Sequence, residues 1–230
     1  MTGALVSGRV EVVGQLPWSS NRTFLATCTA DDGEEVAAVY KPGRGERHLW
    51  DFPPCIYRRE VAAYRLSEML GWGLVPETVE RDDGPLGPGS FQRFVEADFS
   101  EHHFTLVEDP RHHARLQAIC AFDVVANNAD RKSGHCLLGE DGTIWAIDNG
   151  LCFHPQPKLR TVIWEFAGEP VPEGLLGDLE ALDGSLPGPL GALLSAPEVA
   201  ALRRRAARLV AAGRFPVPDP DTYHYPWPLV

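Results

Sequence analysis

Basic residues are scarce in this sequence. Lys and Arg total 21 against 32 Asp and Glu, a formal net charge of −11 at pH 7. A chain of that sign gets no electrostatic help toward nucleic acid or anionic lipid, so nucleic-acid binding is set aside and a membrane surface is disfavoured. No stretch is long and apolar enough to span a bilayer. The opening Met1-Thr2-Gly3-Ala4-Leu5 lacks the basic-then-apolar order of a signal peptide. Cysteine is sparse: Cys28, Cys55, Cys120, Cys136 and Cys152 are odd in number, scattered, and form no CxxC pair. They read as reduced thiols in a cytoplasmic protein, most of them small core side chains. Internal repeats and low-complexity tracts are absent.

What is present fits a globular chain. With 230 residues, 44% of them apolar and 23% charged, it can build one large core or two small lobes around a cleft. Leu5 to Val13, Thr23 to Thr29 and Val36 to Lys41 read as three strands of an antiparallel meander, separated by polar or glycine-bearing turns. Arg58 to Leu70 has Ala62, Leu66, Met69 and Leu70 on one helical face, with Gly71 as its stop. Ser90 to Glu96 reads as a short strand, and a lobe boundary falls just after it. Arg111 to Val125 is a second helix. Cys136 to Leu138 and Thr143 to Ile147 form a hairpin across Gly139 to Gly142. Pro197 to Ala212 is a third helix, its Arg203, Arg204 and Arg205 reading as a solvated face. The end, Phe215 to Val230, is rich in proline and aromatics and is expected to pack as an extended strap. The pairs His102-His103 and His112-His113 read as solvated surface histidines rather than a zinc site.

The chemistry concentrates around the hairpin. Asp130 lies in the polar loop after the second helix, and Asp148 follows the hairpin's second strand. A hairpin between two acidic residues returns both strand ends to one place, so both carboxylates can face one cleft. Phosphoryl transfer needs that pair: one carboxylate orients the attacking hydroxyl, the other holds Mg²⁺ on the phosphates. Taken alone, an aspartate before Asn-Gly also suits a turn. Lys41 ends an apolar strand and needs an anion or a route to water. A nucleotide phosphate is one such anion, with Glu60 at the start of the next helix as the brace. Between the first two strands, Ser19, Ser20 and Asn21 occupy a loop that can close over phosphates with backbone N–H groups, or serve as a plain polar turn.

The ordered set Val39-Tyr40-Lys41-Pro42, Arg59-Glu60-Val61-Ala62-Ala63-Tyr64, Leu74-Val75-Pro76, Asn128-Ala129-Asp130-Arg131 and Ile147-Asp148-Asn149-Gly150-Leu151 resembles the phosphatidylinositol 3-/4-kinase-related group. It is most similar to type II phosphatidylinositol 4-kinases and to an uncharacterised actinobacterial family distantly related to them. The likeness covers roughly residues 8 to 165. It implies an α+β, two-lobed atypical protein-kinase-like fold: an antiparallel N-lobe sheet plus one helix over about 1–97, and a mainly helical C-lobe over about 98–230, as one domain. It implies ATP or another nucleoside triphosphate with Mg²⁺ or Mn²⁺. Lys41 would hold the phosphates with Glu60 bracing it, Arg93, Phe94 and Val95 would meet the adenine as the hinge, Asp130 would be catalytic and Asp148 would bind metal.

The chain departs from that group in two places. Where its kinases carry a metal-binding asparagine five residues after the catalytic aspartate, this chain has His135, which becomes the second candidate metal ligand. Lys132 is placed to offset charge on the transferred phosphate. The segment after Asp148 is short and its basic residues are only Lys158 and Arg160, fewer than an inositol-phosphate headgroup calls for. The expected activity is therefore transfer of the γ-phosphoryl group of ATP to an unidentified hydroxyl. The alternatives are a nucleotide-binding pseudokinase and an enzyme that transfers the AMP moiety.

Overall fold

The computed structural model describes residues 2–17, 21–183 and 188–230. The chain opens with α1 (Gly3–Ser7) and β1 (Arg9–Gln15), followed by β2 (Phe24–Thr29) and β3 (Glu35–Pro42). The segment expected as one strand from Leu5 to Val13 is thus split. Ala4 and Leu5 are buried in helix, and the strand starts only after Gly8. After α2 (Tyr57–Met69) come β4 (Thr78–Arg81) and β5 (Gly89–Arg93). The five strands form one antiparallel sheet in the order β1-β2-β3-β5-β4.

Alternation along β3 fixes the two faces of this sheet. Val36, Ala38 and Tyr40 point to one side and are buried with Ala4, Leu5, Ala26, Val79 and Phe91 in a small core. Tyr40 stacks on Phe91 with centroids 4.3 Å apart. Ala37, Val39 and Lys41 point the other way. Gly89 lets β5 approach at the Lys41 end, since a Cβ there would meet the Lys41 carbonyl oxygen at 2.4 Å.

The second half is built on α4 (His113–Ala126), after the short β6 (Ala97–Asp98) and α3 (His103–Leu106). The hairpin β7 (Cys136–Gly139) and β8 (Ile144–Ala146) pairs with β6 in a three-stranded sheet. Helices α5 (Glu173–Glu180), α6 (Gly188–Leu193) and α7 (Ala196–Ala212) complete it. α7 begins with a Ser195–Glu198 capping box and ends at Gly213 with φ +60°. The main core joins α4, the hairpin, α7 and one side of α2, through Leu66, Leu116, Ile119, Phe122, Ile144 and Leu202.

α2 is buried on several sides because it is held by both halves. It contacts β4 and β5 on one flank and α6 on another. Arg59 on α2 forms a buried ion pair with Glu198 on α7 and donates to the Cys152 carbonyl at 3.1 Å. Gly71, with φ +68°, ends the helix as expected.

Two surface expectations are corrected. His103 is fully buried against Glu165, 3.0 Å away, rather than solvated. Arg205 is half-buried, donating to the Val125 carbonyl at 2.7 Å, rather than part of a free basic face. Among the described residues, no helix is long and apolar enough to cross a membrane.

Candidate active site

The pieces read from separate stretches of sequence meet in one cavity of about 220 Å³, whose wall includes Asn21, Lys41, Glu60, Asp130, Asp148, Gly150 and Leu151. Ser19 and Ser20 lie outside the described residues. Asn21 borders the cavity and accepts the Arg47 amide at 2.7 Å, which ties its loop to the segment after β3.

Lys41 leaves the cleft face of β3 and finds two carboxylates. Its Nζ pairs with Glu60 Oε1 and donates to Asp148 Oδ1 at 2.8 Å. Burial works against the ammonium charge, but Asp148 and Glu60 outweigh it and hold Lys41 above the ordinary lysine value. Lys41 in turn holds the Asp148 carboxyl well below the usual carboxylate range. Glu60 is 2% exposed. Its second oxygen accepts the Asn149 N–H at 2.8 Å, so one side chain of α2 grips both the lysine and the backbone beside Asp148.

Asp148 sits in a left-handed conformation, φ +56°, with its side chain half-exposed. Oδ2 faces His135 Nε2 at 3.3 Å. The other ring nitrogen, His135 Nδ1, accepts the Lys132 N–H at 3.2 Å, which assigns the imidazole proton to Nε2. His135 in this arrangement donates to Asp148. Ligating a metal through Nε2 needs the opposite tautomer and loss of the Lys132 bond. Burial pushes the imidazole down to about 4, so the ring is neutral near pH 7.

Asp130 is a separate carboxylate on the same wall. Lys132 Nζ is 3.6 Å from its Oδ2. Burial nonetheless pushes the Asp130 carboxyl up to about 6; Lys132 opposes the rise and Asp148 adds to it.

The loop carrying Asp130 is fixed by a buried network not anticipated from the sequence. Arg131 and Asp123 are both fully buried and paired at 2.9 Å. Arg131 also donates to Asn149 Oδ1 at 2.7 Å and to the Ile147 carbonyl at 2.6 Å. Asp123 takes further bonds from Asn128 at 3.0 Å and Thr161 at 3.2 Å, while Asn128 Oδ1 accepts the Asp130 N–H at 2.9 Å. The residue after Asp130 is thereby bonded to the residue after Asp148. A sequence signal for this existed: Asp123 lies among Ile119, Phe122, Val125 and Ala126 in the apolar second part of the helix, and a buried carboxylate must be paired.

The residues expected as the hinge line a different cavity. Arg93, Phe94 and Val95 border a second cavity of about 380 Å³ with Tyr64, Glu77 and Trp145, and do not share the wall of Lys41. The Arg93 N–H donates to the Glu77 carbonyl at 2.8 Å and the Phe94 N–H to the Ala37 carbonyl at 2.9 Å, so neither amide is free for an adenine. Lys158 is also engaged, with Asp51 at 2.7 Å.

The donor set suits a hard divalent cation that completes its shell with phosphate and water. Among the described residues no group of three His, Cys, Asp or Glu side chains converges as a metal cage. Mg²⁺ is commonly held by one or two carboxylates plus substrate phosphates, and Asp148 supplies one. The side-chain oxygens of Asn128 and Asn149 are taken by the Asp130 amide and by Arg131.

This chain is 38% identical to Protein Rv2133c of Mycobacterium tuberculosis (strain ATCC 25618 / H37Rv), with 97% of this chain and 93% of that protein covered. The chain belongs to the family of that protein. No family model matches it. Solved structures give the fold. Hydra Fam20 with sugar superposes with a TM-score of 0.54 at 15% identity, covering 91% of this chain and 86% of that one. The Golgi casein kinase with Mn/ADP bound gives 0.52 at 15% identity, covering 95% and 78%. The Helicobacter pylori proinflammatory kinase CtkA gives 0.54 at 13% identity, covering 92% and 94%. This member of the Rv2133c family therefore has an atypical kinase-like α+β fold, as expected from its sequence.

Proposed function

We propose that the chain is a metal-dependent phosphotransferase that moves the γ-phosphoryl group of ATP, or of another nucleoside triphosphate, to a hydroxyl acceptor. The observation that carries this reading is Lys41, bonded at once to Glu60 on α2 and to Asp148 beside the hairpin, on a cavity wall that also holds Asp130. A lysine so placed meets the nucleotide phosphates, and Glu60 fixes its position. Asp130 orients the acceptor hydroxyl and takes its proton. Asp148 holds the metal, whose charge would balance that on the phosphates. Lys132, beside Asp130, offsets charge on the transferred group. Two further supports are the casein kinase neighbour, described with Mn/ADP bound, and the motif order shared with phosphatidylinositol 3-/4-kinase-related proteins. The one-domain, two-lobe division near residue 97 and a cytoplasmic setting for five free thiols belong to the same reading.

His135 favours a second reading, a pseudokinase that binds nucleotide without turnover, because a hydrogen bond to Asp148 replaces a second oxygen ligand. One experiment separates the two. Thermal shift with ATP and Mg²⁺ or Mn²⁺, followed by mass analysis of the nucleotide products, is run on wild type and Asp148→Asn. A metal-dependent shift with ADP as product supports transfer, a shift with intact ATP supports the pseudokinase, and release of pyrophosphate points to AMP transfer. No shift in either metal overturns both main readings.

A further inference from the structure

The C-terminal strap is pinned on both sides of the loop that carries Asp130. The His224 carbonyl accepts the Thr161 N–H at 3.0 Å and Trp164 Nε1–H at 3.3 Å. The Leu229 carbonyl accepts the Ser133 N–H at 2.8 Å. Thr161 forms a bridge with Arg131, and Ser133 lies three positions after Asp130. Between the pins, Tyr225, Pro226 and Trp227 line a cavity of about 450 Å³ together with Tyr223, Arg160 and Asp130. Asp130 and Leu151 border both this cavity and the one that holds Lys41. Asp130 therefore stands at a junction, with the Lys41 cavity on one side and an aromatic-lined one on the other.

The strap's aromatic rings face solvent. Tyr223 and Trp227 are each 88% exposed and Tyr225 is 49% exposed, while Pro226 between them is buried. A local concentration of exposed rings marks a binding surface more than a core. Arg160 is the cation that lines this cavity, against Asp130. The lining sets one cation against one carboxylate, so a ligand without net charge is favoured here. A neutral ring that offers C–H faces to aromatic side chains and hydroxyls to Asp130 and Arg160 fits this lining.

We propose that this cavity is the acceptor subsite, and that it takes a neutral, ring-shaped polyhydroxyl compound of monosaccharide size. The inference rests on the phosphotransfer reading above. The acceptor oxygen bonds to the γ-phosphorus, the bond from that phosphorus to the β–γ bridging oxygen breaks, ADP leaves with the electron pair, and the hydroxyl proton passes to Asp130. Tyr225 and Trp227 set which ring is held.

The test uses the full chain and the variants Tyr225→Ala and Trp227→Ala, each of which removes an exposed ring. Saturation-transfer NMR first asks whether glucose, xylose, N-acetylglucosamine or myo-inositol binds the nucleotide-free protein. ADP production from ATP and Mn²⁺ is then measured with each ring and with a serine-containing peptide. The expected result is that a monosaccharide or the cyclitol binds and raises ADP production above the rate in water. The arms show which of the two ring types is used. Both variants should raise the KM for that ring by about 10-fold while leaving the KM for ATP unchanged. The proposal is overturned if ATP is bound but no ring binds or stimulates, if the peptide alone stimulates, or if the ring's KM ignores both variants. Ring binding that is lost in Trp227→Ala, in a protein that never binds ATP, keeps the subsite and removes the phosphotransfer reading instead.

Discussion

Glu60 and Asn149 are joined across the cleft: the Asn149 N–H donates to Glu60 Oε2 at 2.8 Å, while Glu60 Oε1 holds Lys41. A carboxylate on α2 thus holds both the lysine and the backbone beside Asp148. Gly150 follows closely, and a Cβ there would lie 3.2 Å from Glu60 Oε1.

Removing Lys41 leaves Glu60 buried with one oxygen unpaired. Lys41→Met is expected to lower stability by about 2–4 kcal/mol and to abolish the ATP–metal thermal shift. Adding Glu60→Gln should recover part of the stability and none of the nucleotide response. Urea melts and thermal shifts on the single and double variants check this, and an ATP shift retained in Lys41→Met removes the lysine from the site.

The Asp123–Arg131 pair is buried more completely than the site it supports. Arg131→Met strands the Asp123 carboxylate and is expected to cost about 3–5 kcal/mol. The double variant with Asp123→Asn should lose less than the two single losses added together. Additive losses in denaturant titrations would show that the pair does not act as one unit.

Asp130 gives a pH signature whose sign is fixed. Its folded pKa lies near 6, above the ordinary carboxylate value, so the folded state binds the proton more tightly. Stability therefore falls as pH rises from about 4 to about 6, and stays lower above that. Asp130→Asn removes the buried charge and should stabilise the nucleotide-free protein by about 1–2 kcal/mol at neutral pH, with the gain vanishing near pH 4. The same variant should lose turnover and keep metal-dependent nucleotide binding. Equal stability of wild type and variant across that range would contradict the assignment.

His135→Asn tests the tautomer. With the imidazole proton on Nε2 facing Asp148, the ring supplies no lone pair to a metal, and the ratio of rates in Mn²⁺ and Mg²⁺ should be unchanged by the substitution. A ratio that shifts toward Mg²⁺ in both His135→Asn and His135→Ala shows that the ring has switched tautomer and ligates, since Mn²⁺ accepts nitrogen more readily, whereas a shift in His135→Asn alone shows the new amide oxygen reaching the metal.

Local pattern made Lys41, Asp130 and Asp148 legible. One ends an apolar strand, and the other two flank a hairpin whose glycine-bearing turn is plain in the sequence. What stayed hidden depends on distant partners. Ala4-Leu5-Val6 fits strand or helix equally, and its packing on β2 and β3 makes it helix. Thr78–Arg81 becomes a strand only because β5 lies beside it. Arg93 and Phe94 looked like hinge donors, but their amides are taken by Glu77 and Ala37. The strap is pinned through backbone carbonyls, which leave no mark in residue identity.

The buried pair Arg59–Glu198 sits one residue from Glu60 and ties its helix to α7. Swinging that helix outward would strand two charges in the interior, a cost of several kcal/mol. Outward displacement of that helix is therefore disfavoured, and the distance between Glu60 and Lys41 is tied to the packing of α7.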